Sequence, residues 1–273
     1  VSIGAGCLCY ACINILGIKN NLHYVLISML YVLSMHILNN LIGTKADRYN
    51  DPDRSSFFNK NKIVLDILAF TAGGIGLLIA YSAGRIPFLI LFGMSIMGLS
   101  YNLRIIPKRL AYNRYSRLRD IPGSKTVLIA MAWGIVTSIL PHLGESGNIH
   151  LDTAIIFLWS LGLVFVRTAF FDILDMQGDR IVGKETIPIL LGEKRALRLL
   201  KTILVINFGL LFISSAFQLI SGLGFLLLIC PAFVFFMLSA HERGYMLPGI
   251  RLEFLVESNF VMAGVMTLAW SLF

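Results

Sequence analysis

Apolar runs of about twenty residues alternate with short polar segments along the whole chain. Runs long enough to cross a hydrocarbon core of about 30 Å fall near 1–17, 22–43, 62–83, 86–103, 126–143, 153–174, 199–220, 222–240 and 255–273. The pattern predicts an all-α, polytopic membrane protein. About nine transmembrane helices would bundle around a central cavity that opens near the cytoplasmic face. Composition agrees: 57% of residues are hydrophobic and 14% charged, with mean hydropathy +0.79, which excludes an ordinary soluble domain. Residues 1–17 have no basic leader and are followed by further runs, so a span is expected there and not a cleaved signal peptide. No Pro/Ser-rich linker or low-complexity tract divides the chain, and a single membrane domain over 1–273 is expected.

The net charge of +8 invites a nucleic-acid reading, but its placement points elsewhere. Lys45, Arg48, Arg54, Lys60 and Lys62 follow the second run. Seven basic residues from Arg104 to Lys125 separate the fourth from the fifth, and Arg180, Lys184, Lys194, Arg195, Arg198 and Lys201 follow the sixth. Arg243 and Arg251 precede the ninth. The alternate connections hold only Lys19 and Arg85. This is the positive-inside pattern. It predicts an integral membrane protein (of the inner membrane in a prokaryote) with a cytoplasmic amino terminus and the carboxyl terminus outside. The lipid bilayer is the expected partner and nucleic acid is not. Cys7, Cys9, Cys12 and Cys230 all lie in apolar runs without acidic or histidine support, so buried free thiols are expected.

Acidic residues close two of the runs. After the sixth come Asp172, Asp175 and Asp179, spaced i, i+3 and i+7, which on one continuous helix share a face. Carboxylates at membrane depth are costly, and a cluster of them implies a site and a counter-charge. Mg²⁺ is the hard cation expected when the substrate carries phosphate. After the second run, Asn39, Gly43 and Asp47 are spaced i, i+4 and i+8. Both polar segments fall on one membrane face, four runs apart, so in a bundle they could converge on one cavity.

These residues resemble the UbiA superfamily of intramembrane prenyltransferases. The family's second motif, D-x-x-D-x-x-G-D-x-x-x-G-x-x-T-x-P, is matched by Asp172, Asp175, Gly178, Asp179, Gly183, Thr186 and Pro188. Its first, N-D-x-x-D-x-x-x-D followed by N-x-P-x-R, is matched less fully. Asn50, Pro52 and Arg54 set the register and place Asn39 and Asp47. Asn40 and Gly43 stand where the family has aspartates. One expected metal-binding carboxylate is therefore missing. An Asp47/Asp51 register is disfavoured because Pro52 biases Asp51 away from helix.

The resemblance implies Mg²⁺-dependent transfer of a prenyl group from its diphosphate to an apolar acceptor within the membrane, an aromatic one being the first choice. Prenylated quinones or lipids would be the products. It implies Asp47, Asp172, Asp175 and Asp179 as metal-binding and catalytic residues. Basic groups would clamp the diphosphate. Tyr115 and Arg119 resemble the family's Y-x-x-x-K element, with Tyr101 and Lys125 as rivals. Asn39, Arg54 and Lys184 complete the candidate substrate-binding set with Arg167, which lies inside the sixth run and needs a partner there: an aspartate, or the diphosphate. His36, one turn before Asn39, reads first as an ordinary helix histidine. The competing expectation, prompted by Asn40 and Gly43, is an isoprenoid-binding carrier that keeps the fold without catalysis.

Overall fold

The computed structural model describes residues 1–19, 22–41, 47–101, 121–246 and 249–272, without the side chains of Asp47, Arg48 and Ile250. Every regular element among them is a helix. They run α1 (Ser2–Ile15), α2 (Leu22–Leu41), α3 (Asp47–Asn50), α4 (Pro52–Lys60), α5 (Lys62–Ala83), α6 (Arg85–Ser100), α7 (Ser124–Gly134), α8 (Leu140–Ser146), α9 (Leu151–Leu174), α10 (Met176–Ile181), α11 (Ile187–Leu191), α12 (Glu193–Ala216), α13 (Leu223–Leu227), α14 (Ile229–Glu242) and α15 (Ile250–Trp270). Gly43, Tyr115 and Arg119 lie outside the described residues.

Among the described residues, seven helical segments are long and apolar enough to cross a membrane: α2, α5, α7 with α8, α9, α12, α13 with α14, and α15. The other two expected spans are shorter apolar helices, α1 of 14 residues and α6 of 16. At a rise of 1.5 Å per residue α6 reaches only about 24 Å, short of the hydrocarbon thickness. Helix α9 is the most enclosed of the seven long segments. It packs against α7 and α12, while α1 packs between α2 and α15, and α5 lies along α2. Small residues permit the closest crossings. A Cβ on Gly162 of α9 would overlap the Asn207 side chain of α12.

Two prolines break long segments, with different repairs. In the third long segment Ile135–Ile139 forms a π-helical turn, with the Leu140 N–H bonding to the Ile135 carbonyl. In that register Val136 would be served next by the N–H of Pro141, which has none. Ser28 Oγ of α2 donates to the Val136 carbonyl instead, at 2.8 Å. In the sixth, the ring of Pro231 crowds the carbonyl four residues back, and the helix divides at Leu228 into α13 and α14.

Candidate active site

The acidic end of α9 is not one continuous helix. α9 ends at Leu174, Asp175 leaves helical geometry at φ −87°, ψ 1°, and α10 begins at Met176. The three aspartates therefore sit on three pieces of backbone, not on one helix face. Asp172 belongs to α9 and accepts a hydrogen bond from Thr126 Oγ1 at 2.6 Å. Asp175 occupies the joint. Asp179 is in α10, only 3% exposed, with Lys184 Nζ 2.9 Å from its Oδ1.

The motif glycines account for this geometry. α10 closes in a Schellman turn: the Gly183 N–H bonds to the Arg180 carbonyl and the Lys184 N–H to the Asp179 carbonyl at 3.0 Å. Gly183 takes φ +71°, a conformation an L side chain enters at a cost of about 1–2 kcal/mol. The turn carries Lys184 back over Asp179. Gly183→Ala is expected to lower stability by about that amount and to loosen the Lys184–Asp179 pair, measured as the loss in unfolding free energy in detergent. Gly178 has a different task, since a Cβ there would collide with the side chain of Asn50 in α3. The two polar segments are thereby seated on each other. We expect Gly178→Ala to cost about 1–3 kcal/mol by overpacking, and Asn50→Ala in the same chain to recover most of it. Recovery absent from thermal-unfolding measurements would mean that Asn50 and Gly178 do not meet.

A cavity of about 490 Å³ lies where these segments converge. Asp172, Arg167 and Thr168 of α9 and Asp175 at the joint line it with Asn39 and His36 of α2, Asn50 of α3, Arg54 of α4, Lys125 of α7, and Glu253 and Glu257 of α15. A second, apolar cavity of about 110 Å³ adjoins it, lined by Tyr31, Met35, Met94, Met97, Tyr101, Leu128 and Trp133 among others. Asp179 and Lys184 line neither, standing behind the wall. Tyr101 lines only the apolar one, its hydroxyl 3.1 Å from Ser124 Oγ. Asp51 is extended at φ −144°, as the following proline favours, and caps α4 by accepting from the Arg54 N–H at 2.9 Å.

The electrostatics centre on Asp175. Among the described residues its carboxylate has no hydrogen bond or salt bridge. Burial first, then the charges of Asp179, Asp172 and Glu253, push its pKa up to about 6, with Lys125 opposing. Asn50 Nδ2 and Thr168 Oγ1, both on the cavity lining, are buried without a partner among the described residues. Crowded carboxylates match a hard divalent cation in their donor chemistry, and the Asn50 N–H suits an anion beside it. Among the described residues, no three His, Cys, Asp or Glu side chains converge to hold one unaided. The residues fit Mg²⁺ that takes its remaining oxygens from water and a diphosphate, the usual habit of that ion.

Arg167 has a partner that sequence reading missed. Its Nε donates to Glu257 Oε1 at 2.8 Å, and its Nη2 bonds to the same oxygen. The residue is buried, and its guanidinium carbon lies 4.6 Å from the Phe171 ring centroid and 5.8 Å from that of Trp133. One turn away on α15, Glu253 Oε2 is 2.6 Å from Arg54 Nη2. The signal for both glutamates was present: a pair at i, i+4 at the head of the last apolar run, Glu257 inside it.

A model of the UbiA prenyltransferase family matches residues 1–245. The chain belongs to that family. Digeranylgeranylglyceryl phosphate synthase of Halobacterium salinarum is 25% identical over 244 residues, covering 84% of this chain and 79% of that protein. Among solved structures, a UbiA homologue from Aeropyrum pernix K1 superposes with a TM-score of 0.77 at 12% identity, over 99% of this chain and 98% of the other. A UbiA homologue from Archaeoglobus fulgidus bound to GPP and Mg²⁺ gives 0.66 at 16%, over 98% and 95%. This UbiA protein is therefore an integral membrane protein of a prenyltransferase family, with the family's helical fold.

Proposed function

We propose that this UbiA protein, acting as one transferase domain over residues 1–273, moves a prenyl group from its diphosphate to the hydroxyl of a lipid glyceryl phosphate. The observation that carries the transferase reading is the junction of the two cavities. One is polar, with carboxylates and cations. The other is apolar and continuous with it through shared lining residues. A prenyl diphosphate has the same two-part chemistry. The glyceryl phosphate acceptor is supported by the digeranylgeranylglyceryl phosphate synthases among the relatives. This replaces the aromatic acceptor as first choice.

In this reading Asp172 and Asp175 hold Mg²⁺ from the cavity wall. Asp179 reinforces them from behind and is held in place by Lys184, while Asp47 supplies a carboxylate from α3. Bound Mg²⁺ supplies the positive charge that stabilises the departing diphosphate. The chain's own groups do the rest. Lys125 and Arg54 bind phosphate oxygens, and Arg54 exchanges Glu253 for them. Asn39 orients the head group. Tyr31, Met94, Met97 and Trp133 enclose the prenyl tail, and the apolar wall keeps water from the allylic carbon. Tyr115 and Arg119 close the diphosphate clamp from the basic connection after α6. The acidic segments and amino terminus face the cytoplasm, with the carboxyl terminus outside.

The test is product formation in lipid from radiolabelled geranylgeranyl diphosphate and Mg²⁺, with a monoprenylated glyceryl phosphate set beside hydroxybenzoate and naphthoate acceptors. A labelled ether lipid formed only with the glyceryl phosphate supports the reading. A prenylated aromatic product replaces the acceptor. Tight binding of prenyl diphosphate with no product from any acceptor selects the carrier.

A further inference from the structure

A prenyl diphosphate seated across the two cavities has its head among the aspartates and its tail among Tyr31, Met94 and Trp133. The carbon that joins them, C1, then lies at the throat where the cavities meet. The nucleophile must reach C1 there, and a hydroxyl that attacks must give up its proton. Besides Val1, the side chains that line both cavities are His36, Asn39, Lys125, Ile129 and Arg167.

Most of these cannot take a proton. Lys125 and Arg167 are cations without an acceptor atom, Ile129 is apolar, and the Asn39 amide is a very weak base. Glu257 lines only the polar cavity and not the throat, and its charge is the counter-ion of Arg167, so protonating it would leave that guanidinium unpaired. Asp172 and Asp175 belong to the diphosphate end. His36 is different. An imidazole offers a lone pair on one ring nitrogen when neutral. Its Nε2 stands 3.4 Å from the Asn40 Nδ2, which donates at 2.8 Å to the His36 carbonyl. An amide nitrogen only donates, so Nε2 is the ring nitrogen that carries the lone pair, and this contact is long enough for an acceptor hydroxyl to replace. The charged groups facing the ring are Arg54 of α4, Arg167 of α9 and Glu257 of α15, with Lys125 of α7 across the throat.

We propose, resting on the transferase reading above, that His36 is the base that accepts the acceptor's proton as the new bond forms. The acceptor oxygen bonds to C1. The bond from C1 to the diphosphate oxygen breaks, its electron pair leaving with diphosphate. The acceptor O–H pair stays on oxygen in the new ether, and the proton passes to the His36 ring and then to water in the polar cavity. The Asn at position 40 fits this role, since it leaves the ring free of a bound carboxylate.

The test uses the full chain in lipid with geranylgeranyl diphosphate, a monoprenylated glyceryl phosphate and Mg²⁺. For His36→Gln, prenyl diphosphate binding should stay within about twofold of wild type. General-base loss predicts kcat down by about 10²- to 10⁴-fold with acceptor KM little changed, and the acid limb of the wild-type kcat profile should vanish. For His36→Ala, added imidazole should restore part of the lost kcat. Turnover within about threefold of wild type with an unchanged pH profile overturns the proposal. So does loss of prenyl diphosphate binding together with turnover and no imidazole rescue, because that marks a structural histidine. A wild-type protein that makes no product from any acceptor contradicts the transferase reading itself, and this inference falls with it.

Discussion

Asp175→Asn is expected to lower Mg²⁺-dependent turnover by about 10²- to 10³-fold, the loss typical of removing one preorganised group that faces developing charge. Stability should change little, or rise. Asp175 sits in the break between α9 and α10, with no hydrogen bond or salt bridge among the described residues. Its charge is opposed by burial and by Asp179, Asp172 and Glu253. A neutral isostere relieves that repulsion in the ion-free protein while removing an oxygen donor that carries charge. Opposite signs for stability and activity are what separate a metal-binding carboxylate from a structural one. The check is paired: unfolding free energy in the presence of EDTA, and initial rate against Mg²⁺ concentration. A variant that loses both together would place Asp175 in the scaffold.

The second large effect concerns Arg167 and Glu257. Arg167→Met leaves the Glu257 carboxylate without its partner on a buried wall, and breaking such a pair costs about 3–5 kcal/mol. The double replacement Arg167→Met with Glu257→Leu removes both charges and should regain most of that loss. Turnover should stay low, because the throat loses a cation and the stacking against Phe171 and Trp133. A double-mutant cycle on unfolding free energy measures this directly. Additive single losses would show that the two side chains do not depend on each other. Coupling with normal turnover in the double variant would remove Arg167 from the site.

The path from sequence to site was uneven for physical reasons. Apolar runs report membrane crossing because their length is set by the bilayer, so the helices of the bundle could be read from hydropathy. The short α6 shows the limit, since an apolar run has no mark for where a helix stops. The second acidic segment was legible because backbone demands are written into it: Gly183 for a left-handed turn, Gly178 for contact with Asn50, Pro188 for the first turn of α11. Spacing alone misjudged the aspartates, placing on one helix face what a break at Asp175 divides between two helices. The partner of Arg167 was hidden because Glu257 is ninety residues away and no local rule links them. His36 looked ordinary in its own helix. Its interest comes from two cavities meeting beside it, which only packing creates.

The central claim is that the polar cavity ionises a prenyl diphosphate with the aid of Mg²⁺ held by its carboxylates. Its most direct test is diphosphate release by the purified protein in lipid, with geranylgeranyl diphosphate and a monoprenylated glyceryl phosphate, comparing Mg²⁺ with EDTA and wild type with Asp175→Asn. The account predicts release that requires Mg²⁺ and falls by about two to three orders of magnitude in the variant. Release unaffected by EDTA or by loss of the Asp175 carboxylate would contradict it.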